Sequence, residues 1–266
     1  MLHLMRSPAA SPPIPCSILG VTVWSCDHDT ACDLIESRIV EHRPTKIAFL
    51  NANLALLTID QQGLRETLRD FVVLNDGLGV EIANRLLNGR AFPANLNGTD
   101  LVPYFLTRCR SSLRLFLLGA RPAALEQAVL AAQRRWPRHS IVGHAHGYFA
   151  PEQETAILQS IAAARPDLVL VAMGNPQQEL WIARNIPSCA SCGIGVGALF
   201  DFMGGVVPRA PDWVRAARSE WLYRLAREPG RLWHRYLVGN PRFLGHVLAS
   251  RAARPFATHH ARRSAG

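Results

Sequence analysis

Short apolar runs rich in Val, Ile, Leu and Phe alternate along this chain with longer stretches in which apolar residues recur at helical spacing. The short runs predict strands over residues 18–24, 46–51, 71–74, 113–118, 140–143, 168–173 and 193–196. The longer ones predict helices over 30–40, 52–69, 79–87, 99–109, 123–135, 152–164 and 177–184. Alternation of this kind implies an α/β domain built on a largely parallel sheet flanked by helices. No internal repeat interrupts it.

The character changes after Pro208, where Trp- and Arg-rich helical stretches are punctuated by Pro211, Pro229 and Pro241. The chain therefore divides into an N-terminal tail (1–16), an α/β domain (17–208), an Arg/Trp-rich helical appendage (209–254) and a basic tail (255–266). Charge sharpens the division. Ten arginines between residues 209 and 254 face three acidic residues, so this segment carries +7 of a formal net charge of +9. Such a segment attracts phosphate, whether on nucleic acid, lipid or a sugar nucleotide. Interleaved Trp213, Trp221, Tyr223, Trp233, Tyr236 and Phe243 add the aromatic component of a lipid interface.

Composition narrows the rest. An apolar content of 48% in 266 residues supports a full core. The longest apolar strings, such as residues 168–173, are far shorter than the ~20 helical residues that cross a bilayer. Four prolines between Ser7 and Pro15 break any secretory pattern, so the expectation is a cytoplasmic protein peripheral on the inner face of the membrane. The six cysteines are scattered, and only Cys189 and Cys192 form a CxxC without a second pair, which argues against a disulfide framework or a structural zinc. No serine or cysteine nucleophile motif and no metal-spaced histidine pair stands out.

In open α/β sheets ligands gather at the carboxyl ends of strands. There the sequence places Asn51-Ala52-Asn53, Asn75-Asp76-Gly77, Gly119-Ala120-Arg121 and Gly174-Asn175-Pro176-Gln177-Gln178-Glu179. Asp76 reads either as a general base facing the cleft or as the cap of the next helix. Gly119 and Gly174 let a helix N-terminus approach a phosphate, and equally serve as ordinary turn glycines. The amide-rich 174–179 loop tilts towards ligand binding over a purely structural turn. Asp27-His28-Asp29 has the D-x-D form of a diphosphate metal clamp, yet its position before a helical run favours capping.

Seven blocks in order resemble the WecG/TagA/CpsF family, glycosyltransferase family 26: NDGLGVEIANRLLNGR from Asn75, NGTDLV from Asn97, FLLGARP from Phe116, HGYFA from His146, VAMGNPQQELWIA from Val171, VGALFDFMGGVVPRAPDWVRA from Val196 and SEWLYRLAREPGRLWHRYLV from Ser219. The likeness spans about residues 18–248. It implies a Rossmann-like catalytic domain that transfers a sugar from a UDP-sugar, with inversion, to a polyprenyl-diphosphate-linked saccharide during exopolysaccharide or cell-surface polysaccharide assembly. It further implies a metal-independent mechanism without cofactor, and a membrane-associating appendage. By the same resemblance Asp76 is the base, Gln178 is the glutamine of the G-x-P-x-Q-E block, and Arg224 and Arg231 reach the diphosphate. A third basic position falls on His234 or Arg235. Two positions depart from the pattern: Ala48-Phe49-Leu50 lacks a threonine common before Asn51, and Asn95 stands where arginine is frequent.

The candidate site is therefore Asp76 as catalytic residue, with Asn51, Asn53, Asn75, Gly77, Asn97, Gly119, Gly174, Gln178, Glu179, Arg224, Arg231 and Arg235 as substrate-binding residues and no metal. The donor is expected to be of the UDP-glucose or UDP-N-acetylmannosamine type, the surface partner an anionic membrane, and an oligomer is compatible with the sequence. Two other classes rank lower. A nucleic-acid-binding protein would use the basic segment but would show salt-dependent binding indifferent to UDP. A dinucleotide oxidoreductase would need the G-x-G-x-x-G fingerprint, which no strand-to-helix turn carries.

Overall fold

The computed structural model describes residues 12–211, 214, 220–227 and 229–253; the side chains of Arg224 and Arg231 lie outside that description. Trp213, Arg215, Arg218 and Arg254 of the expected appendage, and the basic tail, also lie outside it.

A six-stranded, all-parallel sheet forms the centre. Its strands are β3 (Thr45–Leu50), β4 (Val72–Asn75), β5 (Arg114–Gly119), β6 (Ser140–Ala145), β7 (Leu168–Ala172) and β8 (Cys192–Gly195), in the order β4-β3-β8-β7-β5-β6. Strand side chains alternate between two apolar cores. Ile47, Phe49, Leu115, Leu117, Leu168 and Leu170 enter one, while Ala48, Leu50, Phe116, Leu118, Val169 and Val171 enter the other. Burial on both faces explains why these strands read as unbroken apolar runs.

Helices cover both faces. Helices α1 (His28–Val40), α5 (Gly98–Arg108), α6 (Pro122–Arg135) and α9 (Leu199–Met203) feed the first core. On the other side lie α2 (Ala52–Asp60), α3 (Gln62–Thr67), α4 (Leu78–Asn88), α7 (Pro151–Ala164) and α8 (Gln177–Cys189).

Three local expectations change. The strand expected over 18–24 is an antiparallel hairpin, β1 (Ile14–Ile18) and β2 (Val21–Ser25), whose turn residues Leu19 and Gly20 sit at φ +49° and +86°. Two left-handed residues match the twist that a two-residue hairpin needs. Consequently β1 begins inside the segment assigned to the N-terminal tail. The helix expected over 52–69 is broken at Gln61, whose backbone is extended (φ −128°, ψ 94°), and ends in a 3-10 turn at Leu68–Asp70. Helix α8 passes the expected end at residue 184 and runs to Cys189.

The chain moves outward from β3 to β4, then resumes beyond β8 and β7 with β5. That reversal opens a crevice at the carboxyl edge of the sheet. The appendage covers it with α10 (Glu220–Arg227), α11 (Pro229–Trp233), a π-helical turn (His234–Gly239) and α12 (Asn240–Ala252). The appendage is also anchored. Phe243 and Val247 of α12 are fully buried in the second core, Phe243 lies 3.6 Å from where a Cβ on Gly79 would project, and Arg242 pairs with Asp60 of α2 at 2.6 Å. Among the described residues no helix is long and apolar enough to cross a membrane.

Candidate active site

Strand β4 ends at Asn75, whose Nδ2 donates to the Ala94 carbonyl at 2.8 Å and whose own carbonyl accepts from Leu96 N at 3.1 Å. These bonds pin the 94–97 segment beside the next residue, Asp76. The Asp76 amide continues the sheet by donating to Leu50 O at 2.9 Å. Its side chain is not a helix cap: Gly77, at φ +88°, occupies the N-cap of α4, and no side chain caps that helix. Instead Asp76 Oδ2 accepts from Asn51 Nδ2 at 3.3 Å. Asn51 is oriented for this because its other end, Oδ1, caps α2 by accepting from Leu54 N at 3.0 Å.

Above these strand ends lies a cavity of about 1250 Å³. Asn51, Asn53, Asp76, Gly77, Asn97, Gly174, Gln178 and Arg235 line it, so eight of the thirteen predicted residues meet at one site. Of the two candidates for the third basic position, Arg235 reaches the wall and His234 does not. Arg224 and Arg231 lie on α10 and α11, with side chains outside the described residues. The N-termini of α2, α4, α5 and α8 all open at this edge, concentrating unpaired backbone N–H groups and positive dipole ends where an anion would sit.

Asn75 and Glu179 do not line the cavity; both are buried behind its wall. Gly119 is absent from the wall too. Its φ of +130° and the proximity of Ala172 O, 2.4 Å from an added Cβ, show a glycine required by the close packing of β5 on β7. Several lining amides are committed to the protein itself. Asn97 Oδ1 accepts from Asp100 N at 2.9 Å and from Thr99 Oγ1 at 2.7 Å, capping α5. Gln178 Oε1 accepts from Gly174 N at 3.2 Å and Gly197 N at 3.1 Å, tying the β7 and β8 loops together.

Beneath that brace lies Glu179. Its Oε1 accepts from Asn175 Nδ2 at 2.7 Å and from Gln178 Nε2 at 2.8 Å, while Oε2 has no hydrogen-bond partner among the described residues. Burial pushes its carboxyl up to about 7, against the lowering effects of those amides and of the Arg235 charge.

Residues outside the predicted set complete the site. Asn95 lines the cavity and its Oδ1 accepts from Gly77 N at 2.8 Å, steadying the turn that carries Asp76. Arg121 lies 5.5 Å from the Tyr148 ring centroid, and both line the cavity. Asn95 was visible only as a departure from the family pattern; the Arg121 and Tyr148 blocks were visible, but their pairing was not. Asp27 caps α1, accepting from Thr30 N at 2.8 Å, and Asp29 pairs with Tyr104 and Arg108. Neither lines the cavity, so the D-x-D is structural. Cys192 is buried in β8 with its thiol pushed up to about 12 by desolvation.

The model of the glycosyl transferase WecG/TagA/CpsF family matches residues 16–256. An N-acetylglucosaminyldiphosphoundecaprenol N-acetyl-beta-D-mannosaminyltransferase of Bacillus subtilis (strain 168) is 32% identical over 211 residues, covering 77% of this chain and 80% of the relative. A protein of the same description from Bacillus spizizenii is 33% identical over 183 residues, covering 67% of this chain and 68% of its own length.

Proposed function

Because the chain belongs to the WecG/TagA/CpsF family of glycosyl transferases, we propose that it moves a sugar from a UDP-sugar, with inversion, to a saccharide carried on polyprenyl diphosphate. The observation that carries this reading is the Asp76 carboxylate at the end of β4, held by Asn51 and facing a large cavity roofed by an arginine-bearing appendage. N-acetylmannosamine, named in both relatives, is the first donor sugar to test, and glucose the second.

In an inverting transfer the acceptor hydroxyl attacks the anomeric carbon as the nucleoside diphosphate departs from the opposite face. Asp76 takes the proton from that hydroxyl, a contribution worth roughly 100- to 10,000-fold. Negative charge builds on the departing diphosphate. Arg235, the helix N-termini and, in this proposal, Arg224 and Arg231 stabilise it without a metal or cofactor.

The acceptor is lipid-linked, so the site must work beside a membrane. Leu222 and Trp233 of the appendage are each 50% exposed, and the Tyr223–Arg227 cation–π pair adjoins Leu222 in the chain. Apolar tips beside cations suit an anionic headgroup region, and we place the protein on the cytoplasmic face of the membrane, in cell-surface or exopolysaccharide synthesis. Incubation with UDP-N-acetylmannosamine or UDP-glucose and an N-acetylglucosaminyl-diphosphopolyprenol acceptor, with products read by mass, tests the reaction. A product one hexose or N-acetylhexosamine heavier is expected; no transfer from either donor would overturn the reading.

A further inference from the structure

Glu179 has no route to substrate, being fully buried behind the cavity wall, yet its carboxylate holds Asn175, whose side chain connects through Asn51 to Asp76. We infer that Glu179 is a positioning residue that acts through Asn175 and Asn51 to fix the Asp76 carboxylate, an inference that rests on the proposed role of Asp76 as base.

An ionised carboxylate only accepts hydrogen bonds. With Oε1 lodged between two side-chain amides, both must turn their NH2 groups towards it. Asn175 therefore directs Oδ1 away, where it accepts from Asn51 Nδ2 at 3.5 Å. The same Asn51 Nδ2 donates to Asp76 Oδ2 at 3.3 Å, while Asn51 Oδ1 is held by the α2 cap. Every amide in the chain thus has one permitted orientation. If Asn175 flipped, its NH2 would meet the NH2 of Asn51, and Asn51 would have to choose between capping α2 and holding Asp76. If Gln178 flipped, its NH2 would confront the Gly174 and Gly197 amides.

Protonation need not break the arrangement. A proton on Oε2, the oxygen without a partner, leaves Oε1 able to accept both amides. Arg235, on the π-helical turn above, is the cation that favours the ionised form. The raised carboxyl value of about 7 is consistent with both forms sharing one geometry near neutrality. A glutamine at this position, with its oxygen at Oε1 and its NH2 at Oε2, reproduces the protonated form.

The test uses the full chain with UDP-N-acetylmannosamine and the lipid-linked acceptor, and five variants: Glu179→Ala, Glu179→Gln, Asn175→Ala, Glu179→Ala with Asn175→Ala, and Asp76→Asn. Glu179→Ala should lower kcat by about 10- to 100-fold while changing the donor KM by less than about threefold, because its side chain does not reach the cavity; Asn175→Ala, whose residue lines the cavity, should lower kcat by a similar factor. Glu179→Gln should restore most of the turnover lost in Glu179→Ala. The double variant should be no slower than the slower single one, the non-additivity of residues acting in series. Urea unfolding accompanies each variant. Should Glu179→Ala fail to fold, Asn175→Ala, which leaves the buried carboxylate in place, decides through its kcat. Additive losses, or kcat within about threefold of the parent in Asn175→Ala, overturn the inference. Near-normal turnover in Asp76→Asn instead overturns the base assignment, and the two failures are read from different variants.

Discussion

Glu179 makes stability depend on pH in a direction opposite to that of most carboxylates. Its folded-state value is raised from the ordinary 4.5 to about 7, so the native protein holds this proton more tightly than the unfolded chain does. The stabilisation associated with the neutral form is fully present below pH 4.5 and is lost as pH rises through about 7. Two and a half units correspond to about 3 kcal/mol, a large fraction of the roughly 5–15 kcal/mol that holds a domain together. Glu179→Gln carries no proton to lose and keeps the side-chain shape. Its stability relative to the parent should therefore climb by about 2–3 kcal/mol between pH 5 and pH 8, a midpoint shift of roughly 1 M in urea. Burial also depresses the value of His139. It is present in both proteins and cancels in the comparison. Urea unfolding of both proteins at pH 5, 6, 7 and 8 gives the answer directly, and parallel curves across that range would refute a carboxyl with a raised value.

Asp76→Asn should fold normally and turn over at least about 100-fold more slowly; turnover near the parent's in a steady-state assay removes it from the role of base. Transfer should survive EDTA, because both acidic residues of the D-x-D are engaged by α1 and α5 rather than by the cavity; loss on chelation with recovery on adding magnesium would require a metal clamp elsewhere. Glu substitutions at Leu222 and Trp233 should reduce co-sedimentation with anionic vesicles while leaving the unfolding free energy in urea within about 0.5 kcal/mol of the parent's, the usual range for surface changes. Phe243→Ala should destabilise the protein by about 3–5 kcal/mol, measured in urea, because the ring is fully enclosed by the second core. That last value also bears on truncation. Removing everything after Pro208 would strip Phe243 and Val247 from the core, so loss of activity in such a fragment would not by itself assign the appendage a role in catalysis.

The sheet was legible in the sequence because a strand buried on both faces has to be apolar at every position, as at Leu168–Ala172. The first hairpin was not, because its turn uses Leu19 in a left-handed conformation that no sequence signal marks. Local contacts were also readable: Asp27 is the helix cap its position suggested. For Asp76 the sequence left base and cap open, and only the geometry excludes the cap. Its orientation is tied to long-range contacts, among them a bond to Asn51 from 25 residues away and one between Asn51 and Asn175 across 124 residues. Neither residue type nor spacing encodes such pairs. Glu179 shows the same limit in reverse: a residue in a binding-like loop turned inwards, where Asn175, four residues earlier, donates to it.

This distribution of polar groups constrains how the site can meet an anionic donor. Asn51, Asn97 and Gln178 all line the cavity, yet the hydrogen bonds of their side-chain oxygens go to helix caps and loop amides. They shape the site more than they bind through it. Favourable interactions with a diphosphate are left chiefly to backbone N–H groups at the helix N-termini and to cations. On the domain side of the cavity the cation in the wall is Arg121, stacked against Tyr148; on the other side, among the described residues, it is Arg235 of the appendage. A sheet edge with this arrangement cannot offset two phosphate charges with its own side chains. Closure by the arginine-rich helices is therefore built into the chemistry of the proposed reaction, and the burial of α12 in the core is what holds those helices over the crevice.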